Sequence, residues 1–377
     1  MAIEIKAADV MKLRKMTGAG MMDCKKALVE AEGDFDRAKE IIKEKGKLVA
    51  AKRADRETSE GSVIAKVGEG KAIVVGLGCE TDFVAKNADF QAIAEAIAEA
   101  AIVNFPADKE ALLACTLADG RTIEAAITEL TGQTGEKHIV AGYEVVEAPF
   151  ISTYRHNITG KLAAIVGFNK EIDAEVAKGV AIQVASMNPV AVSAANVEQS
   201  VLDAEFKTAV EKTKAELIQK DINAALTKVG INPAHVDSED HIESNQSKGW
   251  ITAEQAAQAR EIIKTVGEAK AANLNMQMIE NIAKGRVQKF LKENTLEEQG
   301  YQMGDGKTAV KDVIKAADAE AKVLAFKRVS LADSLGLKTY KRTALRAIVV
   351  HFSFSFVSCF FSGDDAPKPC VEPVRAR

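Results

Sequence analysis

The sequence predicts an α+β protein with an inserted helical arm, and three observations lead to that fold class. Aromatic residues are few (5%) while alanine is abundant, and this composition favours helices over an all-β architecture. Runs of β-prone residues nevertheless alternate with helical periodicity, as at 61–77 and 139–168. A third region, 196–292, has the pattern of nearly continuous helix. Strands interleaved with helices indicate an α+β body, into which the helical region is inserted.

Composition and charge narrow the functional class. The 377 residues suffice for more than one domain, and the apolar (47%) and charged (28%) fractions are those of a soluble globular protein. A formal charge of −4 argues against direct nucleic-acid binding, which needs a basic excess. No apolar signal core, no membrane-length apolar run and no C-x-x-C pair occurs. We therefore expect a cytoplasmic protein without a membrane partner, a bound metal or a cofactor.

The first 46 residues predict a small module of three helices. Apolar residues at helical spacing end at the breaker Thr17–Gly20, a second helix covers about 22–31, and Asp34 begins a third that reaches Gly46. About 40 residues is close to the lower limit for an independent core. The module is therefore either a docking piece or a helical subdomain of the main body. The charged stretch 47–60 is interpreted as a linker, with helix as an alternative.

The body is predicted as two related halves, 61–150 and 151–195 with 293–331. Each half begins with a β-hairpin that is followed by a helix, which indicates an internal duplication, although the identity between the halves is too weak to prove it. The expected strands are 62–67, 72–77, 139–147, 151–154, 161–168 and 323–329. The expected helices are 86–104, 107–115, 122–131, 171–187 and 308–318.

Residues 196–292 predict a long antiparallel helical hairpin. Helices are expected at 198–229 and 252–291, joined by a polar tip at 230–250. Such an arm must cover its apolar stripe with the body or a partner chain, so a homodimer through the hairpin is one expectation. Trp250 near the tip is either an anchor for a contact or locally packed, and we favour local packing.

The last segment, 332–377, has no counterpart in this plan. Five of the fourteen phenylalanines fall between Phe352 and Phe361, and three prolines cluster at its end. We expect it to be poorly ordered apart from a short helix around 338–350, because its apolar stretch has no predicted partner.

No catalytic constellation emerges from the motifs. The glycine-rich stretch Gly300–Thr308 resembles a phosphate loop, but its glycine spacing is too long by one residue and acidic residues precede it. The polar run His235–His241 lacks the helical spacing of a zinc protease and has no cysteine partner. Cys24 is either an activated thiol near a helix start or a packed side chain, and packing is the commoner outcome. These patterns indicate a binding protein rather than an enzyme.

The segment Thr81–Val84 stands where a predicted strand gives way to a helix. Judged by its local chemistry, Asp82 caps the next helix and Phe83 packs into the core beneath it. Loops at such junctions also carry function more often than the elements they join. A contact with a partner is therefore the alternative interpretation of this segment.

Two segments carry a resemblance to a known family. Thr17–Leu28 (TGAGMMDCKKAL) and Cys79–Lys86 (CETDFVAK) resemble the two signatures of the elongation factor Ts family, and the layout is similar over about 2–331. The resemblance implies a guanine-nucleotide exchange factor that binds elongation factor Tu. It also implies that the N-terminal module is similar to the family's ubiquitin-associated-like domain, which docks on the nucleotide-binding domain of the partner.

The resemblance assigns roles to particular residues. Asp82 and Phe83, flanked by Thr81 and Val84, match the pair that pushes into the partner beside its Mg²⁺ and phosphate site, so Phe83 is expected to be exposed. His156 lies where the family has a Tyr-x-His near the partner's phosphate loop. The residues implied in docking by the N-terminal signature are Thr17, Gly18, Met21, Met22 and Lys25.

Two other functions remain open at this point. One is a ubiquitin-associated-type adaptor without exchange activity, and the other is an enzyme that uses Cys24 or the His235–His241 run.

Overall fold

The structure is a computed structural model that describes residues 5–333. The predicted tail, including the short helix at 338–350, therefore lies outside the described residues except for its first two positions. The helices are α1 (Ala7–Thr17), α2 (Met21–Glu30), α3 (Phe35–Lys52), α4 (Asp82–Ala85), α5 (Ala88–Asn104), α6 (Lys109–Ala114), α7 (Ile123–Thr134), α8 (Ala174–Met187), α9 (Gln199–Lys228), α10 (Glu239–Ser247), α11 (Ala253–Ala272), α12 (Met276–Asn294) and α13 (Val310–Ala317). The strands are β1 (Glu60–Gly68), β2 (Lys71–Cys79), β3 (Ile139–Glu147), β4 (Phe150–Arg155), β5 (Leu162–Phe168) and β6 (Val323–Ser330).

The predicted α+β class is confirmed, and the strands form two three-stranded antiparallel sheets. Their orders are β1-β2-β3 and β4-β5-β6, so in each sheet a hairpin is followed by helices and then by a third strand on the central one. Both central strands also shift register directly after a glycine, at Gly76 and at Gly167. This shared topology supports the internal duplication that the sequence pattern indicates.

The two sheets pack face to face between outer layers of helices. Ile73, Val75 and Leu77 of β2 face the core formed with α5 and α7. The alternate residues Ala72 and Val74 lie in the layer between the sheets. The second sheet follows the same period-2 rule toward α8 and α13, because side chains of a strand alternate between its faces.

The N-terminal helices have a small core of their own, and the third one is longer than its sequence pattern indicates. Asp34 caps α3 as predicted, through hydrogen bonds from the backbone N–H groups of Asp36 (2.8 Å) and Arg37 (3.1 Å). The helix continues past Gly46 to Lys52, because Lys47–Lys52 contains good helix formers and no breaker. The first part of the 47–60 stretch is therefore helical, which was the alternative to a linker.

The inserted arm has more parts than the predicted hairpin. The helix expected at 252–291 is two helices, since the chain breaks at 273–275, where the Asn275 side chain caps α12. The tip at 230–250 is not only polar, because it contains α10 and buries Ile231, Val236 and Ile242. The Trp250 ring lies tilted against the His235 ring with centroids 5.6 Å apart, yet 61% of the Trp250 surface is exposed, so local packing covers only part of it. Among residues 5–333, no helix is long and apolar enough to cross a membrane.

Candidate partner-binding surface

The segment after β2 forms a single helical turn whose caps are not the predicted one. The Thr81 Oγ1 accepts a hydrogen bond from the Val84 N–H (3.4 Å) and caps α4, while Asn87 caps α5 through the Asp89 N–H (2.8 Å). The expectation that Asp82 caps the next helix is therefore wrong, because residues on either side of it already fill that role. The Asp82 carboxylate instead pairs with the Lys86 ammonium at 2.7 Å, and this hydrogen bond lowers the pKa of Asp82.

Phe83 is exposed over 84% of its surface, so it does not pack into the core. The neighbouring side chains do: Ala85 is buried, and Val84 packs against the core between the first sheet and its helices. The two anchoring residues fix the turn and leave Phe83 in solvent. A fully exposed phenylalanine forgoes about 2 kcal/mol that burial would provide, so this position suits a side chain that is covered by a partner.

Polar contacts from the end of α7 hold this turn in place. Glu136 accepts hydrogen bonds from the Thr81 N–H (3.0 Å) and the Thr81 hydroxyl (2.6 Å). Glu80 accepts two from the Arg53 guanidinium (2.9 and 2.8 Å) and one from the Lys137 N–H (2.7 Å). Burial alone would raise the pKa of Glu80, but these hydrogen bonds hold it below its usual value. Charge-assisted bonds of this kind make the base of the turn rigid.

The N-terminal signature divides into buried and exposed residues. Thr17 is buried, its hydroxyl donates to the Leu13 carbonyl (2.8 Å), and its carbonyl accepts from the Gln133 side chain (2.6 Å). Gly18 ends α1 in the left-handed region with φ of 67°, a conformation that favours glycine. Met21, Met22 and Lys25 are instead exposed on α2. The first two residues thus shape the turn, and the last three are accessible to a partner.

His156 lies half-buried at the start of the β4–β5 loop. Its Nδ1 is 3.1 Å from the Thr159 hydroxyl, and its carbonyl accepts from the Gly160 N–H (2.8 Å). The Gly160 carbonyl in turn accepts from the Val63 N–H of β1 (2.7 Å), which fixes the loop on the first sheet.

One exposed residue of this loop is missing from the predicted set. Ile158 is 92% exposed, and its sequence signal is a large apolar residue inside the polar turn Asn157–Gly160. An apolar side chain presented by a fixed loop is suited to a contact with another molecule.

These segments meet at one end of the first sheet. Glu60 pairs with Cys79 in the β1–β2 register and forms an ion pair with Lys161, so the β4–β5 loop adjoins the end of β2. Gln133 and Glu136 hold Thr17 and Thr81 from positions three residues apart. The turn at Thr17, the turn at Thr81 and the β4–β5 loop that begins at His156 are therefore held near the same end of this sheet. Sequence patterns missed Gln133 and Glu136, because no local spacing signals a long-range hydrogen bond.

The residues considered for an alternative chemical role have structural contacts in the described part of the chain. Cys24 is fully buried in the N-terminal core, with its sulfur 3.6 Å from the Ala19 carbonyl. His241 pairs with Asp237 at 2.5 Å, and no group of three metal-capable side chains occurs in the described part of the chain.

The glycine-rich stretch near 300 does not offer a free phosphate cradle either. Asp305 accepts hydrogen bonds from the Lys307 N–H (2.9 Å) and the Thr308 N–H (2.8 Å), so these donors are already occupied.

Comparison with known proteins identifies the same family that the two sequence motifs resemble. The sequence model of the family described as Elongation factor TS matches residues 80–333, a range that includes Thr81–Val84 and His156. The chain is 55% identical over 324 residues to an elongation factor Ts of Bacteroides fragilis, covering 86% of this chain and 98% of that protein. Over the same length and with the same coverage, it is 54% identical to the elongation factor Ts of Phocaeicola vulgatus. The elongation factor Ts of Christiangramia forsetii is 39% identical over 332 residues, with 87% and 99% covered. The chain therefore belongs to the elongation factor Ts family and is a translation elongation factor of protein biosynthesis.

Proposed function

We propose that the chain binds the GDP form of elongation factor Tu and promotes the release of GDP, after which GTP can bind. It acts through protein–protein contact as an exchange factor and carries no bond-making chemistry of its own. The observation that carries this proposal is Phe83, which is 84% exposed on a short turn anchored by Val84 and Ala85.

Exchange requires a surface that binds the nucleotide-free partner better than the GDP-bound partner. GDP is held by Mg²⁺ and by the backbone N–H groups of a phosphate loop. Because coupling between two ligands is reciprocal, a factor that favours the empty state weakens GDP binding by the same factor. An aromatic wedge that displaces the element holding the Mg²⁺ ligands supplies this difference. Phe83 has the size, exposure and rigid base for such a wedge.

Asp82 supports the same role electrostatically. Its carboxylate is paired with Lys86 in solvent, and a pair exposed in this way is inexpensive to open. Once the pair opens, the carboxylate next to Phe83 can perturb the charge around the partner's Mg²⁺. Thr81 and Val84 hold Asp82 and Phe83 in position.

Two further contacts are proposed around the wedge. Met21, Met22 and Lys25 on α2 provide an exposed, partly apolar face through which the 1–46 module docks. Thr17 and Gly18 set the turn that precedes this face. His156 and the adjoining Ile158 provide a contact near the partner's phosphate loop. We also propose that the body divides into halves at 61–150 and at 151–195 with 293–331, which is supported by the one three-stranded sheet in each half.

The proposal is tested by the release of fluorescent GDP from elongation factor Tu. The wild-type chain should accelerate release, and Phe83→Ala should reduce that acceleration by about 30-fold, since losing a hot-spot aromatic costs roughly 2 kcal/mol or more. The fold should be unaffected, because the side chain is exposed.

Val103→Ala is the matched control for this test. Val103 is 68% exposed at the end of α5, near the β1–β2 turn and away from the wedge. Its truncation should leave release unchanged. Normal exchange by Phe83→Ala would contradict the wedge. Binding to the partner without any acceleration by the wild-type chain would favour the adaptor function.

A further inference from the structure

The N-terminal helices join the body through a contact between two glycines. Helix α3 crosses α7 where Gly46 meets Gly132, and a Cβ built on Gly132 would lie 3.0 Å from the Gly46 Cα. A Cβ on Gly46 would lie 3.1 Å from the Thr128 carbonyl oxygen. Both neighbours are backbone atoms, which cannot rotate away as a side chain can. The crossing is therefore close: a Cβ at either position requires the helices to move by a few tenths of an ångström, and a branched side chain requires more.

Two residues at the end of α7 make hydrogen bonds on both sides of this junction: Gln133 lies in the last turn of the helix, and Glu136 follows it. Gln133 donates to the Thr17 carbonyl at 2.6 Å on the side of the N-terminal helices. Glu136 accepts from Thr81 at the base of the Phe83 turn. Arg53, just after α3, adds the bidentate pair with Glu80. One short stretch of chain thus sets the position of the docking face on α2 relative to Phe83.

We propose that the Gly46–Gly132 crossing and Gln133 are positioning elements, which fix the docking face and the wedge as one rigid binding surface. This inference rests on the function proposed above. When two contacts are held at the correct separation, the second forms without a further search, and the affinity exceeds that of either contact alone. If the N-terminal helices are displaced, the wedge itself is intact but the two contacts no longer form together.

The expected signature separates positioning from the action of the wedge. Gly132→Val should raise the concentration needed for half-maximal GDP release by about tenfold, because the gain from linked contacts is lost. The maximal rate at saturation should stay within about twofold of wild type, since Phe83 and Asp82 are unchanged. Phe83→Ala should show the opposite pattern, with a lower maximal rate. Gln133→Ala should act in the same direction as Gly132→Val, but more weakly.

Gly285→Val is the matched control, because Gly285 lies inside α12 and a Cβ there would meet nothing within 4 Å. Gly285→Val changes the helix propensity by the same amount as Gly132→Val, but at a position that is not part of the Gly46–Gly132 crossing. Hydrogen exchange of α3 and α7 should increase in Gly132→Val and not in Gly285→Val. A thermal unfolding curve checks that each variant is folded. If Gly132→Val does not fold, Gln133→Ala provides the same titration without added bulk.

The outcomes distinguish the two proposals. If the wild-type chain accelerates GDP release but Gly132→Val and Gln133→Ala titrate like Gly285→Val, the positioning inference is wrong and the proposed function stands. The inference also fails if either variant lowers the maximal rate while the half-maximal concentration stays the same. If the wild-type chain does not accelerate release at all, the proposed function fails, and the inference fails with it.

Discussion

His138 is a buried neutral histidine close to the base of the Phe83 turn. It is 5% exposed, its ring centroid lies 5.8 Å from that of Phe90, and its Nδ1 is 3.3 Å from the Thr131 hydroxyl. The Thr131 hydroxyl donates to the Ile127 carbonyl, so the His138 Nδ1–H is the donor in this chain of hydrogen bonds. Its Nε2 has no hydrogen-bond partner among the described residues. Burial lowers the pKa of His138 to about 4, although Glu136 and Glu80 oppose this shift.

This shift predicts a loss of stability in mild acid. The folded pKa lies below the unfolded value of about 6.5, so the unfolded state binds the proton first. The stability that neutral His138 contributes to the folded state is complete above pH 6.5 and declines as the pH falls toward 4. Between pH 7.5 and pH 5 the free energy of unfolding should fall by about 2 kcal/mol from this residue. Urea unfolding at the two pH values measures the change.

His138→Gln should remove most of that pH dependence, even if it lowers stability at both pH values. His241→Gln is the control, because His241 is exposed and lies in the arm. It should leave the dependence intact. An equal pH dependence in wild type and His138→Gln would show that other groups are responsible.

The contrast between Phe83 and Asp82 shows what local chemistry predicts and what it does not. The residue types alone favour a cap and a core aromatic. Both expectations are wrong, because Thr81 and Asn87 supply the caps and the strand end already fills the core. A four-residue turn is too short to show a periodicity. Only the resemblance to a family predicted that Phe83 is exposed.

At the scale of elements, the end of α3 depends on a contact outside the helix. Arg53 pairs with Glu80 through two hydrogen bonds, and Glu80 is only 15% exposed. Arg53→Ala leaves that carboxylate with the Lys137 N–H alone. Because Arg53 itself is 37% exposed, the expected loss is modest, about 1 kcal/mol. Hydrogen exchange should increase in the last turn of α3, and thermal unfolding should report the loss.

The surface pair Arg37–Glu40 provides a comparison within the same helix. It is 3.8 Å long, with both side chains about 70% exposed, so Arg37→Ala should change neither stability nor exchange. An equal effect of Arg53→Ala and Arg37→Ala would show that the burial of Glu80 adds nothing to the stability that the Arg53–Glu80 pair provides.

The sequence pattern predicts elements best where periodicity and length agree. The strand at Ile139–Glu147 has the predicted bounds, because β-branched residues are dense there. The break between α11 and α12 was missed, since Asn273–Asn275 contains neither glycine nor proline. Helix α10 was missed inside a polar tip, although Ser238 followed by Glu239 and Asp240 is a recognisable helix start.

At the scale of the whole molecule, the order of the elements was predicted but their stacking was not. The continuous apolar runs in β2 and β5 indicate two buried faces per strand, yet nothing in the sequence pattern states that the second face of each sheet packs on the other sheet. The shared layer depends on contacts such as those of Val63, Ile165 and Val329, which are far apart along the chain. Long-range pairing of this kind cannot be deduced from local periodicity.

The arm is attached where its two ends lie side by side. The Val190 N–H donates to the Asn294 carbonyl (2.8 Å), and the Leu296 N–H donates to the Ala191 carbonyl (2.9 Å). The distal part of the arm has a hydrophobic cluster of its own, and the body core on this side is completed by Leu296 and Val310. The body therefore does not need the arm to bury its apolar surface.

Replacing residues 194–292 by a flexible Gly/Ser linker of about eight residues should thus leave the body folded. Cooperative thermal unfolding should persist, because a short linker spans the paired ends at little entropic cost. A full-length variant that keeps the arm and carries only Trp250→Ala serves as a comparison for effects of the tip alone. If two copies associate through the arm, light scattering of the wild-type chain should give the mass of a dimer, and the arm-less variant that of a monomer. Loss of cooperative unfolding in the arm-less variant would show that the arm and the body form one folding unit.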